Sequence, residues 1–300
     1  MMIRKRPIRA SRAFPQSEKC YYLKKVFSDG PSSFHQVIHH KHQQTGGRMR
    51  RISTVSITLK PASPVTMTSS KAAALGPYLQ GALLERADTR YVALLHQLPF
   101  NPYSQYCCID EKGNIVWKIN TLTDEAAEQL IEPIRSLEQV GLRATGESFD
   151  VVSTSLNTID IKCLLDSIYE DGPSKIKVQF LTPAAFKSQG SYVFMPTVRL
   201  VFQNLLMRYY QAYEGNKEVD TETIDFIEQN VRVTSYCLQS RYFSHIAPQG
   251  KKIPAFVGNM TLSISGPSSL AGLARMLLTF GQYSGVGIKT SMGMGGITCS

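Results

Sequence analysis

Apolar and polar residues alternate from Ile52 to Leu59 (Ile, Ser, Thr, Val, Ser, Ile, Thr, Leu), and β-branched side chains dominate the run. A period of two puts alternate side chains on opposite faces, so the segment predicts a β-strand. Beyond a Pro/Ser/Thr loop the period lengthens. Lys71–Arg86 and Thr89–Leu98 carry helical spacing, with Leu75, Leu79, Ala82 and Leu83 on one face, until Pro99 and Pro102 interrupt it. Tyr103–Asp110 and Asn114–Leu122 predict short strands around the turn Glu111-Lys112-Gly113-Asn114. Thr123 is a natural N-cap, with Asp124 and Glu125 in the first turn of a helix predicted to run to about Val140. Phe149–Leu156 then predicts a closing strand. The order is β-α-β-β-α-β.

The same order recurs after a predicted linking helix over Asp160–Asp171, which Gly172-Pro173 ends. Lys175–Leu181 predicts a strand and Thr197–Tyr213 an apolar-striped helix. Val231–Phe243 and Ile253–Ile264 predict two longer strands, the first rich in Tyr, Arg and Ser. Ser268–Tyr283 predicts a helix, and a glycine-rich end returns as a short strand. Two successive β-α-β-β-α-β units predict an α+β fold of two tandem ferredoxin-like domains. The expected division is residues 1–50 as an N-terminal extension, 51–172 as the first domain and 173–300 as the second.

Charge alters this picture only at the start of the chain. The formal net charge is +10, which invites a nucleic-acid partner. Residues 1–51 hold twelve Lys and Arg against Glu18 and Asp29, and so account for all of it; the remainder carries 21 of each sign. Four of the six histidines (35, 39, 40 and 42) lie in the same leader. Three readings fit it: a basic RNA-binding arm, an Arg-rich and acid-poor transit peptide, or an upstream extension. The third is preferred. Gly46-Gly47-Arg48-Met49 looks like a purine-rich ribosome-binding site translated in frame, and the native chain is then expected to begin at Met49. The histidines lack the fixed spacing and mixed ligands of a zinc site.

Six cysteines form no C-x-x-C pair and no even framework, which fits reduced thiols in a cytoplasmic protein. No apolar run approaches the ~18 residues of a membrane span, and no secretory apolar segment follows the basic start.

The sharpest chemical feature is Gly285-Val-Gly-Ile-Lys-Thr-Ser-Met-Gly-Met-Gly-Gly296, five glycines with a Lys-Thr pair just after a helix. Glycines let a main chain adopt φ > 0 and bring its N–H groups close to phosphate. A nucleotide P-loop is excluded, because Ile288 rather than Gly precedes Lys289 and more glycine follows instead of a helix. A dinucleotide fingerprint is excluded because no strand precedes the glycines. A tight helix-to-strand connection remains the structural alternative.

The string GQYSGVGIKTSMGMGG (281–296) resembles the C-terminal glycine-rich loop of the CRISPR-associated endoribonucleases that cut precursor CRISPR RNA within its repeats, members of the RAMP superfamily. HQLPFNPYSQY (His96–Tyr106) resembles the segment carrying that family's histidine, and VQFLTPAAFKSQGSYVFMP (Val178–Pro196) the opening of its second domain. The resemblance runs from about Arg51 to Ser300. It implies two ferredoxin-like units, binding of CRISPR repeat RNA, and cleavage without metal or cofactor that leaves a 5′-hydroxyl and a 2′,3′-cyclic phosphate. Such a reaction needs a base for the 2′-hydroxyl proton, an acid for the 5′ oxygen and a group facing the charged phosphorane.

His96 matches the family's histidine by position, and an imidazole titrates near neutrality, so it suits either proton transfer. Tyr78 corresponds to a tyrosine that some members use; the alternative is an aromatic packed on the core. One departure stands out. Some members place a lysine a few residues after the histidine, whereas none lies between His96 and Lys112 here. Arg86, Arg90, Lys118 and Lys289 are the candidate replacements. Gly285, Gly287, Lys289, Thr290, Gly293 and Gly295 are the expected RNA contacts of the loop, joined by Arg241 of the Arg/aromatic run before His245. Tyr103, Ser104 and Gln105 are polar groups close to His96 that could orient RNA. Further candidate partners are subunits of a CRISPR effector complex and a second copy of the chain; no membrane partner is expected. The alternative function is a non-catalytic RAMP-type RNA-binding subunit of an effector complex.

Overall fold

A computed structural model describes residues 50–63, 65–215, 219–244 and 252–300. His245 and the leader before Arg50 lie outside the described residues. The alternating run at the start forms β1 (Arg51–Pro61). It is followed by helices α1 (Ser69–Ala74), α2 (Gly76–Leu84) and α3 (Thr89–Gln97), then strands β2 (Tyr103–Ile109) and β3 (Ile115–Thr121). A short helical stretch beginning with α4 (Asp124–Ala126) leads to β4 (Gln139–Leu142) and β5 (Glu147–Asp160). These strands make an antiparallel sheet of order β2-β3-β1-β5-β4. Val55 lies opposite Ile119 and Leu156, and Ile57 opposite Trp117 and Thr154, so the apolar half of β1 meets apolar neighbours on β3. The three helices cover that face, burying Leu79, Leu83 and Leu95 against Val55, Ile57, Trp117 and Ile119. Full burial of a leucine is worth about 1.5–3 kcal/mol, so this face fixes the register of the sheet.

Helix α5 (Ile161–Asp166), capped by Asp160, joins the first sheet to the second half. There β6 (Lys175–Ala184) precedes a small hairpin, β7 (Phe186–Ser188) and β8 (Ser191–Val193). Helices α6 (Val198–Tyr213) and α7 (Thr221–Asn230) follow, then β9 (Val231–Ser244), β10 (Lys252–Ile264), α8 (Ser268–Ser284) and β11 (Ile297–Cys299). The second sheet has the order β11-β6-β10-β9. Helices α6 and α8 pack together through aromatic contacts, with Tyr209 edge-on to Phe280 at 5.7 Å.

In both sheets the opening strand sits between the last and the third, with the second at one edge. That is the ferredoxin-like arrangement, and the chain has it twice; β4 is an added edge strand outside β5. The described residues group as one unit. Among the described residues no helix is long and apolar enough to cross a membrane.

Several elements differ from the sequence reading, the unpredicted β7–β8 hairpin among them. The helix predicted over Lys71–Arg86 is two helices meeting at Leu75–Gly76, where Pro77 occupies the first turn of α2 and has no N–H to continue the ladder. The helix expected to reach Val140 ends at Ile134, after one wide turn over Ala127–Ile131 and a tight one containing Pro133. Gln139–Leu142 is instead a strand with Val140 and Leu142 facing inward, a stretch too short to show its period. Helix α7 was not expected; Asp220 caps it by accepting the N–H groups of Glu222 and Thr223, and it buries Ile224 and Ile227.

Candidate functional site

The break between α1 and α2 is where the glycine-rich segment docks. A Cβ at Gly76 would lie 2.5 Å from the Met292 carbonyl oxygen and 2.9 Å from the Gly293 Cα, so the two backbones touch where no side chain fits. Tyr78 stands two residues on, in the first turn of α2, half-buried against the first core. His96 lies in the last turn of α3, a helix that Asp88 starts by accepting the N–H groups of Arg90 (2.8 Å) and Tyr91 (3.2 Å). It is exposed. Leu98 turns to an extended conformation before Pro99, and the connection to β2 runs back over the loop. Asn101 Nδ2 donates to Ser291 Oγ at 3.3 Å, and the Phe100 ring lies 5.6 Å from the Arg208 guanidinium carbon. The segments carrying Tyr78 and His96 are thus both fastened to the same loop, through Gly76 and Asn101.

The loop itself is packed. Gly285, Gly287, Gly293 and Gly295 are buried and have positive φ. Several of its N–H groups are engaged internally: Val286 donates to the Gly295 carbonyl, Ile288 to Ala185 and Gly295 to Pro183, each at 2.9 Å. The Gly287 N–H goes to Asn204 Oδ1 at 2.7 Å and the Gly296 N–H to Thr182 Oγ1 at 2.9 Å. Thr290 is also buried, its side chain against Gly285. Lys289 differs: a non-glycine residue at φ 53°, it is half-buried, with Nζ 3.8 Å from Met292 Sδ. Burial lowers its pKa. Its carbonyl accepts the N–H groups of Met292 and Met294, which holds the left-handed turn.

Arg241 is exposed on β9, where it donates to Gln239 Oε1 (2.6 Å) and to the Ser240 carbonyl (3.1 Å), both on its own strand. Among the other basic candidates, Arg86 caps its own helix through the Ala82 carbonyl at 2.8 Å. Lys118 sits 5.9 Å from the centre of the Tyr106 ring, and Arg90 is exposed.

Tyr103, Ser104 and Gln105 are not surface groups. All three are at most 2% exposed, because helices cover one face of β2 and the second half of the chain covers the other. Gln105 Nε2 donates to the carbonyls of Gly76 (2.8 Å) and Ser291 (3.1 Å), while its Oε1 accepts the Trp117 indole N–H at 2.9 Å. Ser104 Oγ donates to the Tyr283 carbonyl at 2.6 Å. Gln105 fastens the loop and Ser104 the end of α8, and none of the three is a surface group available to orient RNA.

Sequence reasoning also passed over Arg208, which α6 buries beneath the loop. Burial pushes its guanidinium down to about 10. A signal was present: Arg208 follows Val201 and Leu205 at positions i+7 and i+3, on the apolar stripe of its helix. A charged group on such a stripe has partners to satisfy.

Residues 178–297 match the sequence model of a family described as CRISPR-associated endoribonuclease Cas6. A Cas6 endoribonuclease of Mycobacterium tuberculosis is 39% identical over 249 residues, 82% of this chain and 77% of that protein. One from Streptococcus thermophilus is 36% identical over 223 residues, 72% of this chain and 88% of its own. Among solved structures, Thermus thermophilus Cas6 superposes with a TM-score of 0.62 at 22% identity, covering 85% of this chain and all of the other, a likeness of fold.

Proposed function

The chain belongs to the Cas6 family of CRISPR-associated endoribonucleases, and on that premise we propose that it cuts CRISPR repeat RNA by metal-independent attack of a 2′-hydroxyl. The 2′ oxygen bonds to phosphorus as the bond from phosphorus to the 5′ oxygen breaks. The products are a 2′,3′-cyclic phosphate and a 5′-hydroxyl end, which trims precursor transcripts to guide RNAs. One observation carries the site assignment. The loop is bound at Gly76, two residues before Tyr78, and at Asn101, five residues after His96, so a single element fixes the two segments that hold the proton-transfer groups. His96 moves one proton and Tyr78 the other, the 2′-hydroxyl losing its proton and the 5′ oxygen gaining one. Lys289 stands in for the lysine missing after His96 and faces the charge that develops on phosphate.

Within the loop, Gly285, Gly287, Gly293, Gly295 and Thr290 serve RNA by shaping the turn that presents Lys289, and Arg241 adds a phosphate contact from β9. The division of the body into domains 51–172 and 173–300 is proposed on the same footing, as are a cytoplasmic location and association with effector subunits or a second copy. Incubation of a cognate repeat RNA in excess EDTA, with product ends identified by mass, tests the chemistry. Cyclic phosphate and 5′-hydroxyl ends are expected; a requirement for added metal contradicts it, and binding without cutting would leave the non-catalytic alternative. Lys289→Ala should weaken RNA binding several-fold and lower the slope of log affinity against log salt by about one. Unchanged affinity and slope would remove Lys289 from phosphate contact.

A further inference from the structure

A charge enclosed by protein is costly unless it is paired or fully hydrogen-bonded. The Arg208 guanidinium is enclosed, and among the described residues no carboxylate pairs with it. Its donors go to backbone and amide oxygens instead: Nε to Asn204 Oδ1 at 3.3 Å, Nη1 to the Ser284 carbonyl at 3.2 Å and Nη2 to the Gly287 carbonyl at 2.7 Å. Asn204, one turn earlier on α6, accepts the Gly287 N–H at 2.7 Å. Both polar groups of the Gly287 backbone are therefore held by one helix, two residues before Lys289. The same guanidinium lies over the ring of Phe100, four residues after His96, its carbon 5.6 Å from the ring centre. A planar fork satisfies divergent acceptors in fixed directions and stacks on a ring at the same time, which neither an ammonium nor an apolar side chain does.

We propose that Arg208 is a positioning residue for RNA cleavage, fixing the His96 connection and the Lys289 loop at one separation. The inference rests on the cleavage reading above, since it concerns how the two segments are spaced for that reaction. Arg208 touches no RNA itself. The cost of burying the cation offsets much of what its hydrogen bonds contribute to stability, although its removal leaves three acceptors without their donor. Its value lies in geometry.

The test compares wild type, Arg208→Met, Arg208→Lys and Phe100→Leu in three measurements. These are the single-turnover rate constant, the equilibrium affinity for repeat RNA, and amide hydrogen exchange at Gly287 and Ile288 in the free protein. Arg208→Met is expected to cleave at least tenfold more slowly at near-unchanged affinity, with faster exchange at both amides. Arg208→Lys is expected to rescue little, because one ammonium cannot span three divergent acceptors. Phe100→Leu is expected to keep the amides protected and still lose rate several-fold. A wild-type rate in Arg208→Met or Arg208→Lys would overturn the proposal, as would a rate loss matched by an equal affinity loss. Should Arg208→Met fail to fold, Phe100→Leu decides, and its wild-type rate would overturn the role. If the wild type binds repeat RNA without cutting it, the cleavage reading falls by itself. The exchange data then decide the clamp, with protection lost in Arg208→Met supporting it and protection kept overturning it.

Discussion

His96→Ala is expected to slow cleavage of repeat RNA by roughly 10²–10⁴-fold, the usual worth of a placed acid–base group. Affinity should change little. The imidazole is exposed in the last turn of α3 and lies outside the buried core that Tyr91 and Leu95 of the same helix join. Surface substitutions of this kind usually shift stability by no more than about 0.5 kcal/mol. A large loss of rate in a protein with wild-type melting and wild-type RNA affinity would therefore report chemistry, not unfolding. The check is a single-turnover time course beside a binding isotherm and a thermal melt. Wild-type cleavage by His96→Ala would take the histidine out of the reaction and leave the loop without its main catalytic neighbour.

Gly295→Ala is expected to destabilise the protein by about 2–4 kcal/mol, combining a left-handed backbone cost with overpacking. Gly295 has φ 69°, and an added Cβ would fall 1.9 Å from the Val286 carbonyl oxygen. Relief by movement is closed off, since Gly295 donates to the Pro183 carbonyl and accepts from Val286 N–H, each at 2.9 Å. Shifting the residue breaks a strand contact of the second sheet and unseats the turn that bears Lys289. For a body of this size the loss corresponds to a fall in melting temperature of about 5–15 °C. Calorimetry or a circular-dichroism melt measures it directly. A variant melting with the wild type would show that the loop is loose enough to be an adaptable RNA cradle, contrary to its packing.

The residues differ in how openly they announced their places. Ile52–Leu59 showed its strand because every second side chain enters one core, and the same regularity exposed β6 and β10; β9, which buries only Val231 and Phe243, completes the doubled ferredoxin-like order. Helix α7 stayed hidden because Ile224, Phe226 and Ile227 make too short a stripe amid polar neighbours. The stretch after Thr123 misled because the cap is genuine, the Thr123 side chain accepting the Ala126 N–H, while the ladder it starts stops at Pro133. At the site, the glycines were legible and their reason was not. Sequence suggested N–H groups bared for phosphate, whereas Val286, Gly287, Ile288, Gly295 and Gly296 give theirs to the protein. Gln105 read as a surface polar group because a strand's second face is exposed by default, and only the tertiary fold covers it. Arg208 offered a local clue, a cation on an apolar stripe, but its two backbone acceptors, Ser284 and Gly287, lie 76 and 79 positions away.

Attack by the 2′-hydroxyl is the claim on which the catalytic assignments depend, and one substitution in the RNA tests it. A repeat RNA with a single 2′-deoxy nucleotide at the scissile position is incubated with the wild-type chain in excess EDTA, beside the all-ribose RNA. The all-ribose RNA should be cut to completion and the deoxy RNA bound with similar affinity but left intact at that position. Cutting of the deoxy RNA at the same bond, or failure of the all-ribose RNA to be cut until metal is restored, would contradict the mechanism.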